Sequence, residues 1–388
     1  LILEMLMAGS VVSKYWGVYL NQFFELIGWN INTNIAIGSF NFDLAPVIIV
    51  AFFTALLVMG TKIGARVDGA LTILKIAIVV FIVVVGFFYI KAENFTPFIP
   101  PSEPAASTDG SGVSAVMEQP LWQWATGMAP SIYGVTGIIS GAALVFFAFL
   151  GFDVVATASE ETINPKKNVP LGIGVGLGLI IVLYTLVAIV TTGMVSYKDL
   201  AKQSDPSLAV AFKMVGADWA AKIISLGIVI GMATVVMVLL LGLTRVVFAM
   251  SRDGLLPRGL SHTGKHGTPV RLQIIVGVVM ALIAACCNVG ILSDMVNIGT
   301  LSAFTLVAIS IPIMRKKRPD LERSFKIPGN PWVPILIAIA NLWLMVNLSV
   351  LTWIRFVVWL IVGFAIYFGY GYRHARLGAG ELEVAAQE

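Results

Sequence analysis

The sequence predicts an all-α protein, a polytopic transmembrane helical bundle, and three observations predict it. Of 388 residues, 58 % are hydrophobic and only 12 % charged, with mean hydropathy +0.92. Soluble domains run near 45–50 % apolar and about 25 % charged. So little charge cannot coat a soluble surface of this size, which excludes a cytosolic enzyme, and the same figures exclude disorder. Second, the apolar residues gather in ten runs, most close to the ~20 residues that cross ~30 Å of hydrocarbon. Third, runs such as Ile76 to Phe88 show no apolar–polar alternation, so the spans are helices and not barrel strands.

In chain order the spans are 1–20, 44–60, 70–90, 131–152, 172–195, 222–249, 270–290, 294–314, 333–351 and 353–372. The chain opens at Leu1 inside an apolar run with no charged segment before it, and something upstream is expected. The second span is the shortest. Residues 91–130 form an external segment: Pro97, Pro100, Pro101, Pro104 and the Ser107 to Ser114 stretch read as loop. Trp122 and Trp124 fit an interfacial belt. The fourth span meets Gly151 and then Asp153, yet Val154-Val155-Ala156 resumes and helical character continues to about residue 161. The second external segment, 196–221, holds two short helices, around Tyr197 to Leu200 and Leu208 to Val215. Residues 373–388 are a polar cytoplasmic tail.

Orientation follows from lysine and arginine. Sixteen fall in one set of loops, with Arg315, Lys316, Lys317, Arg318, Arg323 and Lys326 the densest group. The opposite loops hold five: Lys91, Lys198, Lys202, Lys213 and Lys222. The bias places both ends of this chain in the cytoplasm and the protein in the cell membrane.

Charges at membrane depth are rare and mark sites. Lys75 lies about one and a half turns into its span, ~8 Å deep. It either snorkels to the interface or stands as a fixed cation inside the bundle, in the place of a metal ion. Asp153 is either an ordinary helix end or the margin of a broken helix, whose bare backbone is tolerated only along a cavity. Glu4 lies near the start of the chain, and Arg355 and Arg245 read as interface anchors. Gly137 with Gly141, Gly172 with Gly176, Gly174 with Gly178 and Gly227 with Gly231 have the spacing that lets helices approach closely.

Other chemistry is excluded. There is no Walker loop, no H-E-x-x-H and no G-x-S-x-G, so no enzyme, cofactor or nucleic-acid partner is expected. Cys286 and Cys287 are adjacent and make neither a disulfide framework nor a metal site. Asn297-Ile298-Gly299-Thr300 resembles no pore filter.

The run Gly141 to Asp153 followed by Ala156 to Pro170 resembles the sixth helix of amino acid permeases. Ala249-Met250-Ser251-Arg252-Asp253-Gly254-Leu255-Leu256-Pro257 is similar to a loop of their cationic amino acid transporter branch, within the amino acid–polyamine–organocation superfamily. Gly64-Ala65-Arg66 with Lys75, and Phe325 to Gly329 with Pro331-Trp332-Val333-Pro334, are two further likenesses. The resemblance covers essentially the whole chain.

It implies a five-plus-five inverted-repeat, LeuT-like fold truncated at the N-terminus, the ten spans being the family's helices three to twelve. It implies a permease, coupled to protons, that moves cationic or small neutral amino acids across the bilayer by alternating access. On that likeness the backbone of Ala148, Phe149, Leu150 and Gly151 meets the substrate amino group. Phe147 or Phe149 forms an aromatic lid, Glu4 stands near the substrate, and Asp153 and Lys75 serve proton coupling. A channel or a non-transporting partner subunit is the alternative; a channel needs a continuous polar pore, and the chain offers isolated charges.

Overall fold

The computed structural model describes residues 2–29, 33–37, 40–60, 65–104, 116–129, 131–152, 155, 162–203, 206–262, 269–320, 323 and 326–374. Gly64, the Ser107 to Ser114 loop, Asp153, Val154, the 156–161 stretch, His266, Phe325 and the tail beyond His374 lie outside the described residues.

Ten principal helices follow one another among the described residues: α1 (Ile2–Leu26), α2 (Leu44–Val58), α3 (Ala65–Phe87), α4 (Gly134–Val145) and α5 (Pro165–Met194). After them come α6 (Asp218–Arg252), α7 (Val270–Cys286), α8 (Val289–Lys317), α9 (Trp332–Val346) and α10 (Val350–Ile366). Among the described residues, five stretches are long and apolar enough to cross a membrane: Gly69–Phe87, Pro165–Met194, Asp218–Arg252, Val289–Lys317 and Val350–Gly371. Leu44–Val58, Gly134–Phe149, Val270–Cys286 and Trp332–Val346 are shorter apolar helices. Two small antiparallel pairs punctuate the bundle, β1 (Asn34–Ile37) with β2 (Phe40–Asp43) and β3 (Glu103–Pro104) with β4 (Ser131–Ile132).

Helix α1 carries several polar residues in its apolar run, and its position explains them. It packs against α2, α6, α7 and α8, with Glu4, Ser10 and Ser13 buried. The Ser10 hydroxyl donates to the Leu6 carbonyl at 2.8 Å and Ser13 donates to Ser10 at 2.8 Å, so neither group is left bare. Around α1, Met5, Leu6, Val50, Phe53, Leu240, Leu243 and Met280 form one core cluster. A second joins α3, α5, the start of α6 and a short helix, Leu208–Met214, through Ile82, Val190, Met194, Phe212 and Ile224. A third holds the end of α4 on α8, α9 and α10 through Ala143, Ile298, Leu301, Met345, Leu348 and Phe356.

Lipid is as apolar as leucine, so helices in a bilayer associate through close packing, and small residues permit it. Gly227 of α6 faces Ile78 of α3, and Gly231 faces Lys75 one turn along. The other glycine pairs differ from expectation. Nothing among the described residues stands within 4 Å of where side chains of Gly141, Gly172, Gly174, Gly176 or Gly178 would be, because those faces of α4 and α5 are open.

The inter-helix connections are tied to one another. The Lys91 amide donates to the Gly193 carbonyl at 2.9 Å, and Asn94 Nδ2 adds a bond of 2.7 Å to the same oxygen. Lys198 pairs with Glu103 at 2.7 Å and Lys213 with Glu25 at 3.1 Å. The Leu121 amide donates to Leu348 O at 3.0 Å and the Val350 amide to Gln119 O at 3.1 Å, a small bridge of Pro120 against Ser349.

Candidate functional site: the broken helix after Val145

Helix α4 leaves the α conformation at Val145. Phe146–Phe149 wind one 3₁₀ turn, Leu150 is extended at φ −70° and ψ 153°, and Gly151 has φ +115°. A side chain at position 151 would be strained there, so the glycine makes the break possible. The turn closes with the Leu150 amide on Phe147 O at 3.2 Å. Leaving the helix strips carbonyls of their regular donors, and hydrocarbon supplies none.

Side chains from two other helices supply them. The Tyr184 hydroxyl of α5 donates to Ala148 O at 2.9 Å. Asn297 of α8 donates from Nδ2 to Leu144 O at 3.0 Å. Aromatic rings close around the turn. Phe149 meets Tyr184 edge-on at 5.3 Å, and Phe304 of α8 takes Phe152 stacked at 5.1 Å and Phe146 edge-on at 6.2 Å. Asn297 is fully buried, and its Oδ1 has no hydrogen-bond partner among the described residues.

Of the residues singled out in sequence, Phe147, Ala148, Phe149, Leu150 and Gly151 all lie on this break. Glu4 is 2 % exposed on the first turn of α1, which packs on α8, the helix that carries Asn297. Lys75 is half-buried in the seam between α3 and α6. A methyl group on Gly231 would stand 3.4 Å from its Cγ and 3.8 Å from its Cε, so the lysine stem lies along protein. Asp153 is outside the described residues. Tyr184, Asn297 and Phe304 were not expected from sequence. Their signal was faint: one tyrosine, one asparagine and one phenylalanine within otherwise apolar helices.

No group of three His, Cys, Asp or Glu suited to a metal ion occurs among the described residues. A cavity of about 540 Å³ opens elsewhere, between the C-terminal ends of α3 and α5, with Lys91, Glu93, Asn94, Ser196 and Asp199 on its wall. None of the candidate residues lines it.

An apolar helix that ends in an irregular turn with its carbonyls held by side chains from other helices is a feature that carrier sites use. The amino acid permease family profile matches residues 5–369. The chain belongs to the amino acid permease family. The permease is 39 % identical over 387 residues to the branched-chain amino acid permease BcaP of Bacillus subtilis (strain 168), covering 97 % of this chain and 76 % of that protein. It is 38 % identical over 385 residues to the methylthioribose transporter of the same organism, with the same two coverages, 97 % and 76 %. Cationic amino acid transporter 4 of Homo sapiens is 26 % identical over 508 aligned positions, covering 98 % of the chain and 75 % of that protein. Membership makes the permease a multi-pass helical membrane transporter for amino acids and not an enzyme.

Proposed function

We propose that this permease is a secondary active, proton-coupled carrier that moves neutral apolar amino acids by alternating access. The break at Phe146 to Gly151 carries the reading: it takes backbone carbonyls out of helical pairing in an apolar segment, and a carbonyl with two lone pairs can accept an ammonium donor beside the Tyr184 hydroxyl on Ala148. The rings of Phe146, Phe149, Phe152, Tyr184 and Phe304 pack pairwise at the turn and give it an apolar setting without a carboxylate to pair a cationic side chain among the described ring contacts. The likeness to a branched-chain amino acid permease supports that choice of substrate.

In this reading the backbone from Ala148 to Gly151 receives the substrate amino group and Phe147 or Phe149 covers it. Glu4 stands near the substrate, Lys75 is a fixed cation in the α3–α6 seam, and Asp153 loads and releases the coupling proton. All ten helices cross the membrane, in the five-plus-five inverted-repeat arrangement, with both ends of the chain in the cytoplasm. Protonation then biases a bundle with two accessible states.

Counterflow in liposomes tests the reading. Saturable, trans-stimulated exchange of leucine, isoleucine or valine is expected, with accumulation when an inward proton gradient is imposed. Exchange of arginine or lysine in preference to these would move the substrate class to cationic amino acids. Flux without trans-stimulation would replace the carrier with a channel. Asp153→Asn keeps the shape but holds the side chain neutral, so gradient-driven accumulation should vanish while exchange at equal pH persists. Undiminished accumulation in that variant would falsify the coupling role.

A further inference from the structure

Two side chains hold backbone carbonyls of the break from either side through hydrogen bonds that the proposed transport cycle does not yet use. In a continuous α-helix the Leu144 carbonyl takes the amide of residue 148, and the Ala148 carbonyl takes that of residue 152. The 3₁₀ turn and the extended Leu150 interrupt that pattern. Asn297 Nδ2 sits on Leu144 O at 3.0 Å and the Tyr184 hydroxyl on Ala148 O at 2.9 Å, so each side chain stands where a helical amide would have been. The two grips come from separate elements, α8 and α5, and enclose Phe146 and Phe147 between them. Ring contacts reinforce both: Phe149 against Tyr184, and Phe146 and Phe152 against Phe304, two turns along α8 from Asn297.

We infer that Asn297 and Tyr184 are positioning residues, which hold the broken helix in the shape that receives the substrate. The inference rests on the transport reading above, since it assigns these residues a part in that same site. A site whose competent shape is only partly populated binds with its affinity reduced by that fraction. Loss of either grip frees the turn to take other shapes, and substrate must then restore the competent one. The cost falls on apparent affinity, while a saturated carrier turns over as before.

The experiment is counterflow at equal internal and external pH with Asn297→Ala and Tyr184→Phe. Each should raise KM roughly tenfold, the scale of one hydrogen bond, with Vmax per folded carrier unchanged. An unchanged KM with Vmax falling in step with the amount of folded protein would overturn the inference and leave both residues as packing. Asn297→Asp adds a check that packing alone does not move. A protonated carboxyl donates to Leu144 O as the amide does, and an ionised one cannot. Its KM relative to wild type should therefore rise with pH; a flat ratio counts against the grip. Hydrogen–deuterium exchange of the 141–152 peptide in detergent gives a readout without transport. Exchange should quicken in Asn297→Ala and Tyr184→Phe, and unaltered exchange overturns the inference. Absence of any amino acid counterflow in the wild type would instead sink the transport reading, with the exchange data still deciding the grip.

Discussion

Lys75 lies against a position that has no side chain. Sequence depth alone left it between the interface and the bundle. Gly231 offers a bare strip of α6, and the methylenes of Lys75 lie along it, a placement that suits both a fixed cation in the seam and a stem that carries its charge to the interface. Lys75→Ala and Lys75→Met should both abolish uptake while membrane expression stays near wild type. Uptake close to wild type would return the residue to the interface. Asp43, just ahead of α2, gives a prediction of another kind. Its carboxylate accepts from the Ala45 amide at 3.2 Å as the helix cap. Burial pushes its pKa above the ordinary 3.8, against the opposing pull of the Ala45 amide, the Lys14 charge and Thr33. The folded state thus holds the proton more tightly than the unfolded chain. The stability this gives is present below pH 3.8 and is lost as pH rises through the raised value. Asp43→Asn keeps a capping oxygen and cannot ionise. Its melting temperature relative to wild type should climb from pH 3.5 to pH 7, and a constant difference would show that the burial does not matter.

At the scale of elements, helices were legible from the apolar runs, though only five of those described are long and apolar enough to span, and Gly151 marked where one run leaves the helical conformation; its expected continuation to about residue 161 lies outside the described residues. The partners of the break were not legible. Tyr184 and Asn297 reach back across 36 and 153 residues to the carbonyls they hold, and spacing along a chain carries no record of such contacts. Helix α1 shows the converse. Its serines and Glu4 stand out in an apolar span, and its place among four other helices explains them. The glycine pairs were over-read: of four with the right spacing, Gly227 with Gly231 meets a facing helix at both positions among the described residues. Two substitutions separate used from unused glycines. Gly227→Leu drives a side chain into Ile78 and should cost about 1–3 kcal/mol, seen as a lower melting temperature in detergent. Gly176→Leu points into open space and should change it little. Equal effects would mean that α5 is packed in the membrane on a face that is open here.

For the whole molecule, the backbone bridge between Gln119 to Leu121 and Leu348 to Val350 has a topological consequence. Segments that share hydrogen bonds emerge on the same membrane face, so the number of crossings between them is even. Six principal helices, α4 to α9, separate these two. The bond from Lys91 to Gly193 applies the same parity to α4 and α5 alone: both cross, or neither does. Helix α5, with 30 residues, is long enough to cross unaided. Impermeant maleimide on sealed vesicles should therefore label single cysteines placed at Glu93, Ala125 and Lys202 from one side, in a background with Cys286 and Cys287 replaced by serine. A split pattern would break the parity. If α5 crosses, the segment of α4 must cross as its companion, yet α4 and its 3₁₀ turn together reach only about 26 Å of the ~30 Å required. On that condition, flanking chain must complete the crossing, and completion on the Phe149 side would set the interruption at Leu150 and Gly151 inside the bilayer.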